Sequence, residues 1–254
     1  GFLLSPNAER YIKPPEEIHT PEVRYWPEQP TWQNYRDLWQ KTDFGRQFVN
    51  SVIVSGGTTV FCTIVALTAS YSFARFRFRG AEGLKRFLLA SQMFPKVLLI
   101  IPLFSIMQLL GLLNTHHSLI VAYTTFSLPF VVWMLIGFFQ SVPRELDEAA
   151  MVDGCTRFQA LIRVVLPVSS QAIIATALYA FINAWNELLF ATMFTSTPEM
   201  RTLPVGLSSF IGEYSIAWGQ LMAGGIVAAL PVIVVFMFLQ KYLVQGMTAG
   251  AVKG

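Results

Sequence analysis

Between Ser141 and Pro167 the chain gathers Glu145, Asp147 and Glu148 beside Ala149, Ala150, Asp153 and Gly154. Small side chains let another surface come close, and the acids offer charge-assisted hydrogen bonds to its arginines or lysines. This is binding chemistry rather than bond-making chemistry. A second group, Asn183, Asn186 and Glu187, lies inside an apolar stretch. Ionisable residues in such stretches are costly and face a cavity or a partner. The trio reads as a polar lining of a path through the membrane, or as a hydrogen-bond cluster that fixes helix packing; both readings stand. Lys96, directly after Pro95, reads first as a packing element at a proline kink, and otherwise as a residue that snorkels or lines the same path. His116 and His117 stand in a short loop without further ligands, so they read as exposed loop histidines and not as a metal site. Cys62 and Cys155 have no CxxC spacing and read as unpaired thiols. There is no P-loop run of the GxxxxGKS or GxxxxGKT type, no HExxH and no Ser-His-Asp arrangement. A catalytic role, and a nucleotide, cofactor or metal bound by this chain, are not expected.

These groups must be positioned by something, and the composition says what. Of the 254 residues 54% are hydrophobic and 13% are charged, where soluble domains carry roughly 25% charged residues. A solvent that punishes charge explains the deficit. Five apolar stretches follow one another at about 48–76, 84–110, 118–140, 169–194 and 216–245. Each has the roughly 20 residues that cross a hydrocarbon core about 30 Å thick. Backbone polar groups in lipid must be satisfied internally, and a period-2 alternation is absent, so the stretches are expected to be helices and not barrel strands. The expected fold is an all-α membrane protein, a polytopic helical bundle with five transmembrane helices visible. The opening Gly1-Phe2-Leu3-Leu4-Ser5-Pro6 reads as the last turn of an apolar helix, so a sixth, N-terminal helix is expected upstream. Gly56-Gly57 and Gly224-Gly225 read as close helix contacts.

Residues 1–46 are therefore expected to hold the end of a first helix and an external polar segment, and residues 47–254 the transmembrane domain. Pro14, Pro15, Pro21, Pro27 and Pro30 forbid a long helix in the polar segment. Thr31 to Trp39 are expected to form a short interfacial helix with Trp32, Tyr35 and Trp39 on one face. Ten Lys and Arg residues fall in one set of loops: Arg75 to Arg86, Arg144 to Arg163, Lys241 and Lys253. The opposite set holds seven, six of them in one long segment with seven acids. The side with ten should be cytoplasmic. The net charge of +3 is spread by topology, so nucleic-acid binding is not expected.

The cytoplasmic segment 141–167 reads as two short helices. Ser141 is expected to cap the first, with Pro143 in its opening turn and the acids at its positive end. Gly154 should end it, because glycine takes positive φ without strain. Thr156 and Gln159 have capping-box spacing for the second helix. Phe158, Leu161, Ile162 and Val165 recur at helical spacing and are expected on one face against the membrane domain.

On these residues the sequence resembles a known family. Glu148-Ala149-Ala150, Gly154 and Leu166-Pro167 match the EAA loop of ABC importer permeases. Asp147 through Gly154 look like the carbohydrate-uptake branch, the maltose-transporter type. Asn183-Ala184-Trp185-Asn186-Glu187 resembles its fifth-helix motif, and Gly246 through Gly254 resembles the tail of its smaller permease subunit.

The resemblance implies a multi-pass subunit of the bacterial inner membrane that imports a sugar or related polyol. It implies a second homologous permease, two ATPase subunits that carry ATP and Mg, and a periplasmic or lipid-anchored sugar-binding protein. It assigns ATPase coupling to Glu148, Ala149, Ala150, Asp153 and Gly154, and a tail contact with the ATPases to Ala251, Val252 and Lys253. The competing reading is an ion-coupled secondary transporter, which needs inverted repeats and ion sites at the midplane. Neither is evident. An intramembrane enzyme needs a nucleophile–base pair or metal ligands, and Glu187 alone is too little.

Overall fold

The computed structural model describes residues 31–212 and 215–251. The fold is that of the compact unit that begins at Gln33. Helix α1 (Gln33–Lys41) leads into α2 (Phe44–Arg75), the first long apolar helix. Then come α3 (Ala81–Ser91), a 3-10 turn (Lys96–Leu99) continued by α4 (Ile100–Leu109), and α5 (His116–Ser141). The loop helices are α6 (Arg144–Val152) and α7 (Arg157–Ala160), followed by a π-helical stretch (Leu161–Val165) and α8 (Leu166–Val168). Helices α9 (Ser170–Trp185), α10 (Leu189–Phe194), α11 (Leu203–Ser208) and α12 (Trp218–Ala251) complete the bundle. Among the described residues the sole β feature is an isolated bridge between Ile211 and Ile216.

Three helices cross a membrane by length and composition: α2, α5 and α12 over Trp218–Phe238. Two bent helix pairs bring the number to five where each pair is one span. Ala81–Ser91 and Lys96–Leu109 meet at 100°, and Arg157–Val168 and Ser170–Trp185 meet at 83°. The expected apolar stretches are helical, and two of them are bent. Pro95 lacks the amide that would continue α3, and its extended backbone (ψ 120°) redirects the chain.

Helix α5 is the centre of the bundle. Half of its most apolar window is buried within this chain, against 11% for α12. Residues Cys62, Ala66, Val131, Leu135, Ala172 and Ala180 form a buried cluster. Its alanines let α2, α5 and α9 approach closely, which is how apolar helices gain contact when lipid is equally apolar. Cys62 is buried and Cys155 half-buried, and both are free thiols.

Each expected glycine pair supplies one close contact, not two. A Cβ on Gly57 would sit 2.7 Å from Ile120 Cδ1, and one on Gly224 would sit 2.5 Å from Leu207 Cδ2 and 3.3 Å from Phe44. At Gly56 and Gly225 nothing lies within 4 Å. Gly224→Val is therefore expected to destabilise by about 1–3 kcal/mol through overpacking, while Gly225→Ala stays near wild type. Thermal unfolding in detergent, followed by size-exclusion fluorescence, separates the two. Equal midpoints would remove Gly224 from the packing account.

Candidate functional site

The loop after α5 folds by local rules and is then fastened to α2. Val142 and Pro143 are extended, and α6 starts at Arg144. Pro143 occupies the cap position, with no side-chain cap. Ser141 does not cap α6; its hydroxyl donates back to the Phe138 carbonyl at 2.7 Å, because Ser141 is still the last residue of α5. At the other end the expectation for Gly154 holds. It takes φ +87°; its amide donates to Met151 O at 3.1 Å and that of Cys155 to Ala150 O at 2.9 Å. This is the Schellman pattern. Thr156 and Gln159 then form the full capping box: Thr156 N donates to Gln159 Oε1 at 2.8 Å, and Gln159 N donates to Thr156 Oγ1 at 3.3 Å.

Fastening comes from residues distant in the chain. Asp147 turns inward and meets Arg75, at the end of α2, with Nε to Oδ2 at 2.5 Å; both side chains are almost fully buried. The approach is an ion pair, not an aligned hydrogen bond, since Arg75 Nε makes none; the other carboxylate oxygen, Asp147 Oδ1, is buried without a partner as well. The Arg75 Nη2 group donates to Val142 O at 3.1 Å, and Arg144 Nη2 donates to Ala74 O at 3.3 Å. Arg157 lies over the Phe76 ring at 5.3 Å. Tyr71, Ala74, Phe139, Leu161 and Val165 pack into one buried cluster beneath the loop. Breaking a buried pair costs about 3–5 kcal/mol, so the pair fastens α6 to α2.

Burial sorts the loop residues. Glu145, Glu148, Ala149, Asp153 and Gly154 are exposed, and Val152 is 87% exposed. Asp147 and Ala150 are buried. Ala150, read from the sequence as part of the outward-facing contact, instead packs toward its own bundle. The expectation for 158–165 is also corrected. Leu161 and Val165 are buried, but Phe158 is 63% and Ile162 48% exposed. A π-helical turn over Leu161–Val165 spreads residues wider than 3.6 per turn, so a face drawn at α-helical spacing splits.

The intramembrane trio is used locally. Asn183 Nδ2 donates to Tyr179 O, and Asn186 Nδ2 to Ile182 O, each at 2.9 Å. The Glu187 carboxylate accepts from Phe190 N at 3.1 Å and from Ala191 N at 3.2 Å. It caps α10 where the helical path breaks after Trp185. Of the three, Asn186 is exposed, and it lines an open groove of about 460 Å³ with Trp185, Pro204, Leu207 and Gly225.

The opposite end of α5 holds a network that the sequence reading missed. His116 is not a free loop residue; it opens α5, and its Nε2 lies 3.0 Å from Asn50 Oδ1. Asn50 Nδ2 donates to the carbonyls of Glu199 and Arg201, at 2.8 and 2.9 Å. Asn114, at φ 59°, accepts from the amides of Ser196 and Thr197. Asn114 before a threonine cap was the available signal, but its partners lie some eighty positions away. The helical backbone of α12 runs to Ala251, while Val252 and Lys253 lie outside the described residues.

Several helices long and apolar enough to cross a membrane, with a partly acidic loop fastened to one of them, define a polytopic membrane protein. The chain belongs to the family of binding-protein-dependent transport system inner membrane components, whose model matches residues 62–249. It is 37% identical over 243 residues to the sulfoquinovosyl glycerol transport system permease protein SmoH of Agrobacterium fabrum, covering 96% of this chain and 85% of that one. It is 36% identical over 247 residues to the trehalose/maltose transport system permease protein MalG of Thermococcus litoralis, covering 96% and 88%. A bacterial ABC transporter involved in the import of the acidic polysaccharide alginate has a chain of the same fold, with TM-score 0.73, 22% identity and coverage of 85% and 81%. The protein is thus an ABC importer permease of the inner membrane, and nothing favours an ion-coupled carrier.

Proposed function

We propose that this permease carries a sugar, or a sugar bearing a small substituent, into the cell. The relatives named for sulfoquinovosyl glycerol and for trehalose and maltose support that class of solute. It works beside a second, homologous permease. Two ATPase subunits below hold the ATP and Mg, this chain binding neither, and a sugar-binding protein delivers the solute from outside.

The exposed loop face of Glu148, Ala149, Asp153 and Gly154 seats on an ATPase. Ala150 keeps its place in the motif by packing beneath that face. Ala251, Val252 and Lys253 extend toward the ATPases as the tail contact. ATP binding draws the two loops together and rocks the permeases to an outward-open packing; hydrolysis returns them. One observation carries the coupling role: the acidic, small-residue face is exposed while Asp147 ties the same helix to α2. Displacement of α6 thereby reaches the centre of the bundle.

The test is ATP turnover of the complete transporter in nanodiscs with binding protein and candidate sugars. Glu148→Ala with Gly154→Pro is expected to lower sugar-stimulated turnover by roughly tenfold or more. Normal hydrolysis and uptake in that variant would remove the loop from coupling.

A further inference from the structure

Lys96 stands where a lysine is hardest to keep. It follows Pro95 at the 100° break between α3 and α4, its side chain is exposed, and its Nζ lies 5.7 Å from the centre of the Phe126 ring. Phe126 is ten residues into α5, about 15 Å along a helix that rises 1.5 Å per residue. That is the middle of a hydrocarbon core about 30 Å thick. From there neither interface is within reach of a lysine stem, so snorkelling does not rescue the charge. The surroundings offer little else. Met93, Phe94, Val97 and Leu98 are all more than half exposed around it, and no carboxylate among the described residues forms an ion pair with it. Glu187, the intramembrane acid, is committed to the amides of Phe190 and Ala191.

Two chain breaks converge at this depth. Gln92 Nε2 donates to Phe126 O at 3.3 Å on one side. On the other, the Phe126 ring packs against Phe190, with centroids 4.8 Å apart, and Phe190 receives the Glu187 cap. Irregular backbone at membrane depth is tolerated where it is buried in protein or lines a water-filled cavity, and Lys96 with its neighbours is exposed, not buried. An exposed ammonium there, held over an aromatic face and lacking a counter-ion from its own chain, is completed by an anion that comes and goes.

We propose that Lys96 is the solute-facing cation of the translocation path and takes an anionic substituent of the sugar, a carboxylate or sulfonate, as it passes. The inference rests on the import reading above and narrows its substrate class. Phe126 holds the ammonium over its ring, and Gln92 braces the break that aims Lys96.

The experiment uses proteoliposomes that hold the complete transporter with its binding protein. They are offered labelled trehalose and maltose, a glucuronyl disaccharide and a sulfonated sugar glycoside. Uptake is compared for the wild type, Lys96→Met and Lys96→Arg, and co-purification of the second permease is measured for each. The expected result is uptake of an acidic solute that falls roughly tenfold or more in Lys96→Met and is largely kept in Lys96→Arg. Uptake of a neutral sugar alone, equal in wild type and Lys96→Met, overturns the proposal and leaves the import reading intact. Loss of the second permease from the Lys96→Met complex also overturns it, because Lys96 then pairs with an acid of that subunit. Wild-type complexes that take up nothing and hydrolyse no extra ATP sink the import reading itself.

Discussion

An Asp147→Ala variant should lose most of its solute-stimulated ATP turnover and uptake. The substitution leaves the Arg75 guanidinium buried beside α6 with its carboxylate partner gone. Such an uncompensated charge costs about 3–5 kcal/mol, more than the short α6 recovers from its own nine residues. The helix then detaches from α2, and force applied at Glu148 is spent on loop movement. The exchange Arg75→Met with Asp147→Leu tests the cause. An apolar pair of similar volume is often neutral or stabilising where an ion pair was buried. The double variant should therefore recover stability and a large part of coupling. Proteoliposome uptake and ATP turnover, measured together, decide the matter. Normal coupling in Asp147→Ala would mean that the ion pair carries no force. Stability without coupling in the double variant would mean that the charge itself takes part.

Glu187→Ala should have the second large effect, on assembly more than on solute affinity. The carboxylate accepts the amides of Phe190 and Ala191 at the start of α10. Phe190 is 1% exposed, and an orphaned buried donor costs about 1–3 kcal/mol. With two amides released, the yield of folded complex and its thermal midpoint should both drop. Glu187→Gln keeps an acceptor oxygen and should retain most of both. A path-lining role predicts the opposite pattern, with normal assembly and a changed half-saturating solute concentration in Glu187→Ala. Size-exclusion yield set beside uptake kinetics separates these outcomes.

The contrast between the two acids shows what local sequence reaches. Glu187 and Asp147 were both legible as unusual, one for standing in an apolar stretch and the other for its place in an acidic cluster. Neither partner was legible. Glu187 uses amides three and four residues on, but only because the helix breaks after Trp185, and no proline or glycine marks that break. Asp147 was grouped with Glu145 and Glu148 as an outward anchor. The turn of α6 that points it inward depends on where α2 ends.

Some features were determined by the sequence alone. The bilayer allows few structures, so the apolar stretches had to become helices whatever their neighbours. Gly154 had to end α6, and Thr156 with Gln159 had to start α7, because each acts through backbone groups within a few residues. The tertiary structure decided the rest: the bend after α3, the Arg75–Asp147 tie, the link from His116 to Asn50, and the exposure of Lys96 at mid-depth. These arise between segments far apart in the chain. Their distances are set by how α2, α5 and α9 pack, and hydrophobic periodicity carries no record of which partner a buried charge will meet.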